Sequence, residues 1–158
     1  MASFMDIALL EARAAGECGE VPVGCVIVRG GEMIARAGNR TLADRDPTAH
    51  AEMIAIRHAA AKLGSERLDA CDLYVTLEPC AMCAGACVWS RIGAVVYGVS
   101  QEDIAAYGRK CGNEDYKWRA CLISCRFVFE KGNHRIPVSG GFLRKECHKL
   151  FSYKTTRR

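Results

Sequence analysis

The chain has 158 residues, which is the size of one domain rather than two. Half of the residues are hydrophobic and 25% are charged, a balance that excludes an intrinsically disordered chain. No apolar run approaches the roughly 20 residues of a membrane-spanning helix, and the first residues do not form a secretory signal. We therefore expect a single cytoplasmic domain over residues 1–158, with no membrane partner. The net charge of +4 permits contact with phosphates without requiring it.

Hydrophobic spacing predicts an alternation of helices and strands along the chain. Helices are expected at residues 4–18, 48–63, 81–90 and 142–153. Strands are expected at residues 21–28, 33–37, 71–77, 92–99 and 122–129, the last with a helix as the alternative. Residues 101–117 are predicted to form a helical turn followed by a loop. A hairpin followed by strand–helix alternation is typical of an α/β protein whose mixed sheet has helices on both faces.

The chain contains ten cysteines, a number that would suggest disulfides in a secreted protein. Without a secretory signal, metal binding or buried thiols are the expected roles. Seven cysteines have no paired spacing and are interpreted mainly as small hydrophobic residues: Cys18, Cys25, Cys71, Cys111, Cys121, Cys125 and Cys147. The other three, Cys80, Cys83 and Cys87, form a cluster.

Two short segments place metal-ligating residue types at predicted helix starts. His50 lies near the start of one helix, and Cys80 and Cys83 lie where a strand gives way to the next helix. Two cysteines three residues apart at a helix start point the same way, and one histidine can complete three corners of a zinc tetrahedron. The positive ends of both helices favour thiolates. The pattern predicts one zinc ion per chain, with the fourth position left for water as in catalytic sites.

Glu52 lies two residues after His50, close enough to reach that water without ligating the metal. A carboxylate in this position can take a proton from water and pass it to a leaving group. This combination suits hydrolysis at an electrophilic carbon with ammonia as the leaving group, so we expect Glu52 to be the catalytic residue. His-x-Glu followed by Pro-Cys-x-x-Cys is the known pattern of zinc nucleobase deaminases.

Two other interpretations of the cysteine cluster stay open. Cys87 lies four residues after Cys83 on the same helical face and could close the site as a structural fourth ligand. A redox-active Cys-x-x-Cys pair is the second alternative, although it leaves His50 and Glu52 unexplained. The other histidines are interpreted as surface or packed side chains rather than ligands: His58, His134 and His148.

Longer motifs extend the match beyond the metal ligands. They are Gly19-Glu20-Val21-Pro22-Val23-Gly24, Gly38-Asn39-Arg40, Asp46-Pro47-Thr48-Ala49-His50-Ala51-Glu52 and Leu73-Tyr74-Val75-Thr76-Leu77-Glu78-Pro79-Cys80-Ala81-Met82-Cys83-Ala84-Gly85-Ala86. With these motifs the sequence resembles the cytidine deaminase-like superfamily. Within it, the sequence is most similar to the bacterial tRNA-specific adenosine deaminases and the guanine and nucleoside deaminases. The resemblance covers residues 4–99 and resumes over residues 133–147.

The resemblance implies a three-layer α/β/α sandwich around a five-stranded mixed sheet, a homodimer and hydrolytic deamination. It makes Glu52 the proton shuttle and Asn39 a contact of the base. It also places the backbone N–H groups of Ala51 and Cys80 close to the ring and the zinc-bound oxygen. The zinc ligands that it implies are His50, Cys80 and Cys83.

Two stretches differ from the tRNA enzymes. Those enzymes typically have a histidine within residues 88–91, where this chain has Trp89 and the guanine deaminases carry a tryptophan. The acidic segment around Asp103 would put negative charge near the pocket mouth, which does not suit an RNA phosphate. The indole of Trp89 can stack on a free heterocycle, and Asp103 and Asp115 can accept hydrogen bonds from a small purine. A core aromatic and a solvated acidic turn are the alternative interpretations.

These departures favour a free purine-like base or nucleoside, guanine or a near analogue, as the substrate. The alternative is adenosine at the wobble position of a tRNA anticodon, which would become inosine. A tRNA enzyme must also bind flanking phosphates, for which the candidates are Arg144, Lys145, Lys149, Lys154, Arg157 and Arg158. A zinc-stabilised binding protein without turnover and a deaminase of a cytosine-like pyrimidine are two further hypotheses.

Overall fold

A five-stranded mixed sheet forms the centre of the fold. The structure is a computed structural model that describes residues 3–111 and 121–152, with the backbone alone at residues 109–111. The strands are β1 (Gly24–Arg29), β2 (Glu32–Gly38), β3 (Cys71–Leu77), β4 (Ala94–Val99) and β5 (Val138–Gly140). Their order is β2-β1-β3-β4-β5, with β1 antiparallel to β2 and β3, and with β3, β4 and β5 parallel. This arrangement confirms the predicted α/β class.

Helices connect the strands. They are α1 (Phe4–Glu17), α2 (Ala51–Leu63), α3 (Ala81–Trp89), α4 (Gln101–Cys111), α5 (Cys125–Lys131) and α6 (Arg144–Lys149), and a short 3-10 helix follows at Leu150–Ser152. α1 begins at a capping box in which the Ser3 and Asp6 side chains each accept a hydrogen bond from the other's backbone N–H. Within residues 3–111 and 121–152, no helix has the length and apolar character needed to cross a membrane.

Glycines allow α1 to approach one face of the sheet closely. Gly24 and Gly38 are register partners on β1 and β2, and a Cβ atom on either would meet the backbone of α1. Because side chains alternate along a strand, Cys25 points to the opposite face, where it lies near Glu52 of α2 and Cys87 of α3. The helices therefore form a layer on each side of the sheet, as the resemblance implied.

Residues 122–129 contain the start of a helix, so the strand predicted there is wrong and the helix given as the alternative is correct. α5 begins at Cys125, and the hydroxyl oxygen of its N-cap residue Ser124 accepts a hydrogen bond from the backbone N–H of Phe127. Cys125 and Phe129 are buried, whereas Phe127 is exposed, and this burial has the four-residue period of a helix. The aromatic and apolar residues in this stretch favoured a strand, but packing against α3 selects the helix.

The fifth strand lies further along the chain than predicted. β5 has only three residues, Val138–Gly140, and pairs with β4 at the sheet edge. Three residues are too few to show an alternating pattern. Residues 101–111 form a full helix rather than a single turn, and the closing helix is shorter than predicted, at residues 144–149. The other helix and strand ends agree with the predictions to within three residues.

Most of the cysteines without paired spacing are part of the hydrophobic core, as predicted. Cys25, Cys71, Cys125 and Cys147 have no exposed surface. Cys18 is exposed, so its packing differs from that prediction. These side chains fill space between the sheet and its helices, as other small hydrophobic residues do.

Gly24→Ala should destabilise the protein, because the new methyl group would collide with Ala8 O and Ala12 N of α1. We expect the free energy of unfolding to fall by about 1–3 kcal/mol, as in other overpacked cores. Urea unfolding followed by circular dichroism measures this loss. The control is Gly85→Ala in α3, where a Cβ meets no atom within 4 Å and alanine favours the helix by about 1 kcal/mol. A Gly24→Ala variant as stable as this control would contradict the close approach of α1.

Candidate metal centre and active site

The candidate site lies where β3 ends and where α2 and α3 begin. His50 is the N-cap residue of α2, and Cys80 is the N-cap residue of α3. Neither side chain bonds to its own helix, so both are available to face a common point. Cys83 follows Cys80 by about one turn of α3. The fold therefore brings two helix N-termini, each with partial positive charge, to one place.

Three ligand atoms converge in this place. His50 Nδ1 lies 3.7 Å from Cys80 Sγ and 3.5 Å from Cys83 Sγ. All three atoms lie within 4.8 Å of one another. A tetrahedral zinc ion, with bonds of about 2.3 Å to sulfur and about 2.05 Å to nitrogen, separates an S and an N ligand by about 3.6 Å. The spacing of these atoms and the donor set of one imidazole and two sulfurs therefore fit zinc.

The two sulfur atoms differ in how readily they lose a proton. A hydrogen bond from the Cys83 thiol lowers the pKa of Cys80 to about 4, and His50 adds to this effect while burial opposes it. The same hydrogen bond, together with burial, raises the pKa of Cys83. The hydrogen bond between Cys80 and His50 raises the pKa of the imidazole. The two cysteines therefore shift in opposite directions, and a metal ion that binds both sulfurs must displace any proton that they share.

Glu52 is buried beside the three ligand atoms. It is the second residue of α2, and 4% of its surface is exposed. Burial raises the pKa of its carboxyl group to about 7, whereas His50 and a hydrogen bond with Cys83 act in the opposite direction. A carboxyl group with this pKa can both accept and donate a proton near neutral pH. Glu52 lies outside the group of ligand atoms, so its position suits an acid–base residue better than a metal ligand.

Cys87 is separate from the candidate metal site. Among the described residues, the group of side chains able to share a metal ion consists of His50, Cys80 and Cys83. Cys87 is fully buried, and burial raises the pKa of its thiol well above the ordinary value. The hypothesis of a closed site with four protein ligands is therefore not supported.

The site matches a known family. The model of the cytidine and deoxycytidylate deaminase zinc-binding region matches residues 1–99 of the chain. The chain belongs to this deaminase family. It is therefore a zinc-binding hydrolase that acts on a C–N bond of a nucleobase or nucleoside, as the sequence motifs predicted.

Individual relatives extend the similarity along the chain. A tRNA-specific adenosine deaminase of Agrobacterium fabrum (strain C58) is 58% identical over 148 residues, which cover 93% of this chain and 88% of the relative. A structure solved in a study of A-to-I editing by tRNA:A34 deaminases is 41% identical, with a TM-score of 0.73, and the match covers 93% of this chain and 97% of that chain. A guanine deaminase structure from Bacillus subtilis is 43% identical, with a TM-score of 0.64, but the match covers 66% of this chain and 68% of that one.

In this deaminase, Asn39 is held next to the segment that carries the first metal ligand. The backbone N–H of its neighbour Arg40 donates to Ala49 O, at a distance of 3.0 Å. Asn39 is 5% exposed, and its Nδ2 donates to Glu20 Oε2 and to Thr41 Oγ1, both at 3.3 Å. Since these bonds use the amide nitrogen, the amide oxygen of Asn39 is the atom able to accept a further hydrogen bond.

Glu20 orders the loop after Asn39, a role that we did not predict from the sequence. The carboxylate is 3% exposed, and its Oε1 accepts hydrogen bonds from the backbone N–H groups of Leu42 and Ala43 at 2.8 and 2.9 Å. In the sequence, Glu20 is only one residue of a family motif. An acidic residue directly before an apolar strand was the available signal, because such a residue must find hydrogen-bond donors when it is buried.

Glu78 is a second buried carboxylate without a predicted role. It is 5% exposed and lies between β3 and the ligand Cys80. Its carboxylate accepts hydrogen bonds from the backbone N–H groups of Gln101 at 3.2 Å and Cys125 at 3.0 Å. These are the first residues of α4 and α5, so one side chain joins the starts of both helices to the metal-binding segment.

The other predicted substrate contacts are spread over the structure. Ala51 is the first residue of α2, directly after His50. Trp89 is the last residue of α3, at the opposite end of that helix from the metal ligands, and 78% of its surface is exposed. This exposure contradicts the alternative interpretation of Trp89 as a core aromatic. Asp103 lies in α4, and Asp115 lies outside the described residues.

Asp103 forms an ion pair with Arg144 rather than standing free at the pocket mouth. Arg144 donates two hydrogen bonds to its carboxylate, from Nη2 at 2.7 Å and from Nε at 3.1 Å. These bonds lower the pKa of Asp103 to about 2. The ion pair joins α4 to α6, and the charge of Arg144 compensates the charge of the Asp103 carboxylate. Arg144, which was predicted to bind a phosphate, is therefore already engaged by Asp103.

Replacing either cysteine ligand should remove the metal. We expect Cys80→Ser and Cys83→Ser to lose zinc after dialysis and the wild type to keep one ion per chain, as measured by inductively coupled plasma mass spectrometry. Cys87→Ala is the matched control, since it removes a buried sulfur four residues from Cys83. We expect this variant to keep one zinc ion. Loss of zinc from Cys87→Ala as well as from the two serine variants would instead indicate a closed structural site.

The ion pair between Asp103 and Arg144 should be visible in the titration of the carboxyl group. Asp103 has a folded pKa of about 2, below the ordinary 3.8. The ionised form therefore stabilises the folded state above pH 3.8, and this contribution is lost as the pH falls towards 2. NMR titration of the Asp103 carboxyl carbon should give a midpoint near 2 in the wild type and closer to 3.8 in Arg144→Ala. Identical midpoints would show that the pair does not form in solution.

Proposed function

We propose that the protein deaminates adenosine in tRNA and produces inosine and ammonia. The observation that carries this proposal is the 58% identity to a tRNA-specific adenosine deaminase over 93% of the chain. The guanine deaminase structure from Bacillus subtilis covers a smaller part of the chain, and the one from Nitrosomonas europaea, which covers 99% of it, is only 27% identical. The comparisons thus support the alternative substrate better than the free purine that the sequence motifs favoured. We also propose the cytoplasm as the location of this reaction.

The acidic segment after β4 was one of the two departures that favoured a free base over an RNA substrate. Asp103 contributed to that departure, but its charge is neutralised by two hydrogen bonds from Arg144. A neutralised carboxylate repels a phosphate far less than a free one. The ion pair therefore removes much of the electrostatic argument against RNA at this end of the fold.

The reaction replaces an exocyclic amino group by oxygen with the help of water. His50, Cys80 and Cys83 would hold the zinc ion, which activates a water molecule as the nucleophile when it is bound. Glu52 accepts a proton from that water and donates a proton to the departing amino group, so that the C–N bond breaks and ammonia leaves. One water molecule is consumed: its oxygen and one of its protons remain on the ring system of the product, its other proton leaves with ammonia, and Glu52 returns to its starting state.

Two further groups would orient the base. Asn39 presents its amide oxygen, since its amide nitrogen is bound to Glu20 and Thr41, and can accept a hydrogen bond from a ring or hydroxyl donor. The backbone N–H of Ala51 lies in the first turn of α2, where N–H groups have no partner within the helix. Both groups lie next to the segment that carries His50, so they can position the ring over the metal site.

A homodimer, which the family resemblance implies, is part of the same proposal. Trp89 and Phe127 offer large exposed aromatic surfaces on neighbouring helices, with 78% and 54% of their surfaces exposed. Large apolar side chains exposed together are typical of interaction surfaces. We propose that the surface of α3 and α5 that carries these rings contacts the second copy.

The substrate is tested by comparing RNA with free bases. We expect the zinc-loaded wild type to form inosine in an anticodon stem-loop with adenosine at the wobble position, as detected by mass spectrometry of the digested RNA. Guanine, cytosine and their nucleosides should release no ammonia under the same conditions. Ammonia release from guanine without reaction of the stem-loop would overturn the proposal in favour of the free-base deaminase.

Glu52→Gln should separate chemistry from metal binding. The amide keeps the size of the side chain but cannot shuttle a proton, so we expect inosine formation to fall by about 10²–10⁴-fold. Zinc content and the circular dichroism spectrum should stay unchanged, since Glu52 is not one of the three ligand atoms. A variant with full activity would contradict the role of Glu52 and support a zinc-stabilised binding protein.

A further inference from the structure

Positive charge is concentrated in the last third of the chain. Residues 121–152 contain six lysines and arginines against two acidic residues, a net charge of +4. Residues 1–111 contain eleven basic and fourteen acidic residues, a net charge of −3. The part of the structure that includes α5, β5 and α6 is therefore the one suited to a polyanion.

The structure favours other basic residues as phosphate-binding groups than most of those predicted from the sequence. Arg144 is engaged by Asp103, and residues 153–158 lie outside the described residues. Arg126 and Arg135, which were not predicted, are both exposed and have no acidic partner within the described residues. Arg126 is held in place because its Nη2 donates a hydrogen bond to Val138 O at 3.1 Å.

These two arginines flank a cavity between α5 and β5. The cavity has a volume of about 280 Å³, and its lining includes Arg126, Arg135, Glu130 and the apolar side chains of Phe129 and Ile136. Two guanidinium groups and one carboxylate leave a net charge of +1, which matches the single negative charge of a phosphodiester. Guanidinium groups form paired hydrogen bonds with phosphate oxygens, and the apolar wall suits a sugar or base.

Helix α5, which lines one side of the cavity, begins near the metal site, whereas the residues before β5 line the cavity at the other end of the sheet. The backbone N–H of Cys125, the residue before Arg126, donates to Glu78, which lies two residues before Cys80. At the other end of α5, a Cβ atom at Gly132 would lie 3.0 Å from the side chain of Val88, near the end of α3. α3 and α5 therefore run side by side in the same direction from the metal site, and Arg126 lies at the end of α5 that is nearer to it.

We propose that Arg126 and Arg135 bind a phosphodiester group of the RNA strand that carries the target adenosine. This inference rests on the proposed function and adds the surface along which the RNA leaves the metal site. The cavity is on the side of α5 that faces β5. Phe127 follows Arg126 by about 100° around the helix, so the surface proposed for the dimer is a different one.

The test measures binding of the anticodon stem-loop in the Glu52→Gln background, in which the RNA is not consumed. Fluorescence anisotropy with a labelled stem-loop gives the dissociation constant at several salt concentrations. We expect Arg126→Ala combined with Arg135→Ala to weaken binding about ten-fold. The slope of log K against log salt should also become less steep by about 1, because a phosphate contact is lost.

The control removes the same charge from another surface. Arg13 in α1 and Arg29 at the end of β1 are both exposed. Arg29 pairs with Cys71 at the start of β3, so it lies at the opposite end of the sheet from the metal site. We expect Arg13→Ala combined with Arg29→Ala to leave the dissociation constant and the salt slope nearly unchanged. Arg135→Ala alone, which removes no described hydrogen bond, should weaken binding without a change in melting temperature.

Each outcome has a distinct meaning. If the Arg126/Arg135 variant and the Arg13/Arg29 control lose affinity equally, RNA binding depends only on the total charge of the protein. This result would overturn the proposal. A shift of the Arg126 and Arg135 variant from dimer to monomer in sedimentation, with RNA affinity unchanged, would assign the cavity to contact between copies. The proposal would also be overturned if inorganic phosphate competed with RNA equally well in the wild type and in the Arg126/Arg135 variant. If the wild type neither binds the stem-loop nor forms inosine, the proposed function itself fails.

Discussion

Two helices begin at the same point of this fold, and that constraint explains most of the chemistry of the site. The N-termini of α2 and α3 carry partial positive charge and meet beyond the end of β3. Groups that are stable there are anions or donors of electron pairs, and the chain supplies an imidazole, two sulfurs and a carboxylate. This meeting places His50 Nδ1 at 3.7 and 3.5 Å from the sulfurs of Cys80 and Cys83, close to the spacing of about 3.6 Å expected for zinc. A hydrogen bond from Cys83 lowers the pKa of Cys80 to about 4.

Three buried glutamates near that point have different roles. Glu20 and Glu78 accept hydrogen bonds from backbone N–H groups of other segments, and in this way they hold the Asn39 loop and the starts of α4 and α5. Glu52 instead faces the ligand atoms, and burial raises its pKa to about 7. Two carboxylates therefore fix the geometry of the site, whereas the third is able to move a proton.

The candidate ligand set could be proposed from the sequence because each of its members belongs to a short local motif at a helix start, and the structure brings these three side chains together. The mixed sheet was also predictable, since most strands are long enough to show their hydrophobic pattern. The start of α5 was not, because apolar and aromatic residues around Phe127 favour a strand until packing against α3 is known. The partners of Asp103 and Glu78 lie between 23 and 47 residues away along the chain, and no local pattern reveals such pairs.

The coordination of the bound metal tests the central claim most directly. X-ray absorption at the zinc edge of the loaded protein should show two sulfur ligands at about 2.3 Å and two nitrogen or oxygen ligands at about 2.0–2.1 Å. That result would mean one imidazole, two cysteines and one position open to solvent. A shell with three sulfur ligands would show that Cys87 has entered the site, and a shell without sulfur would show that Cys80 and Cys83 do not bind the metal. Either of these results would contradict the account.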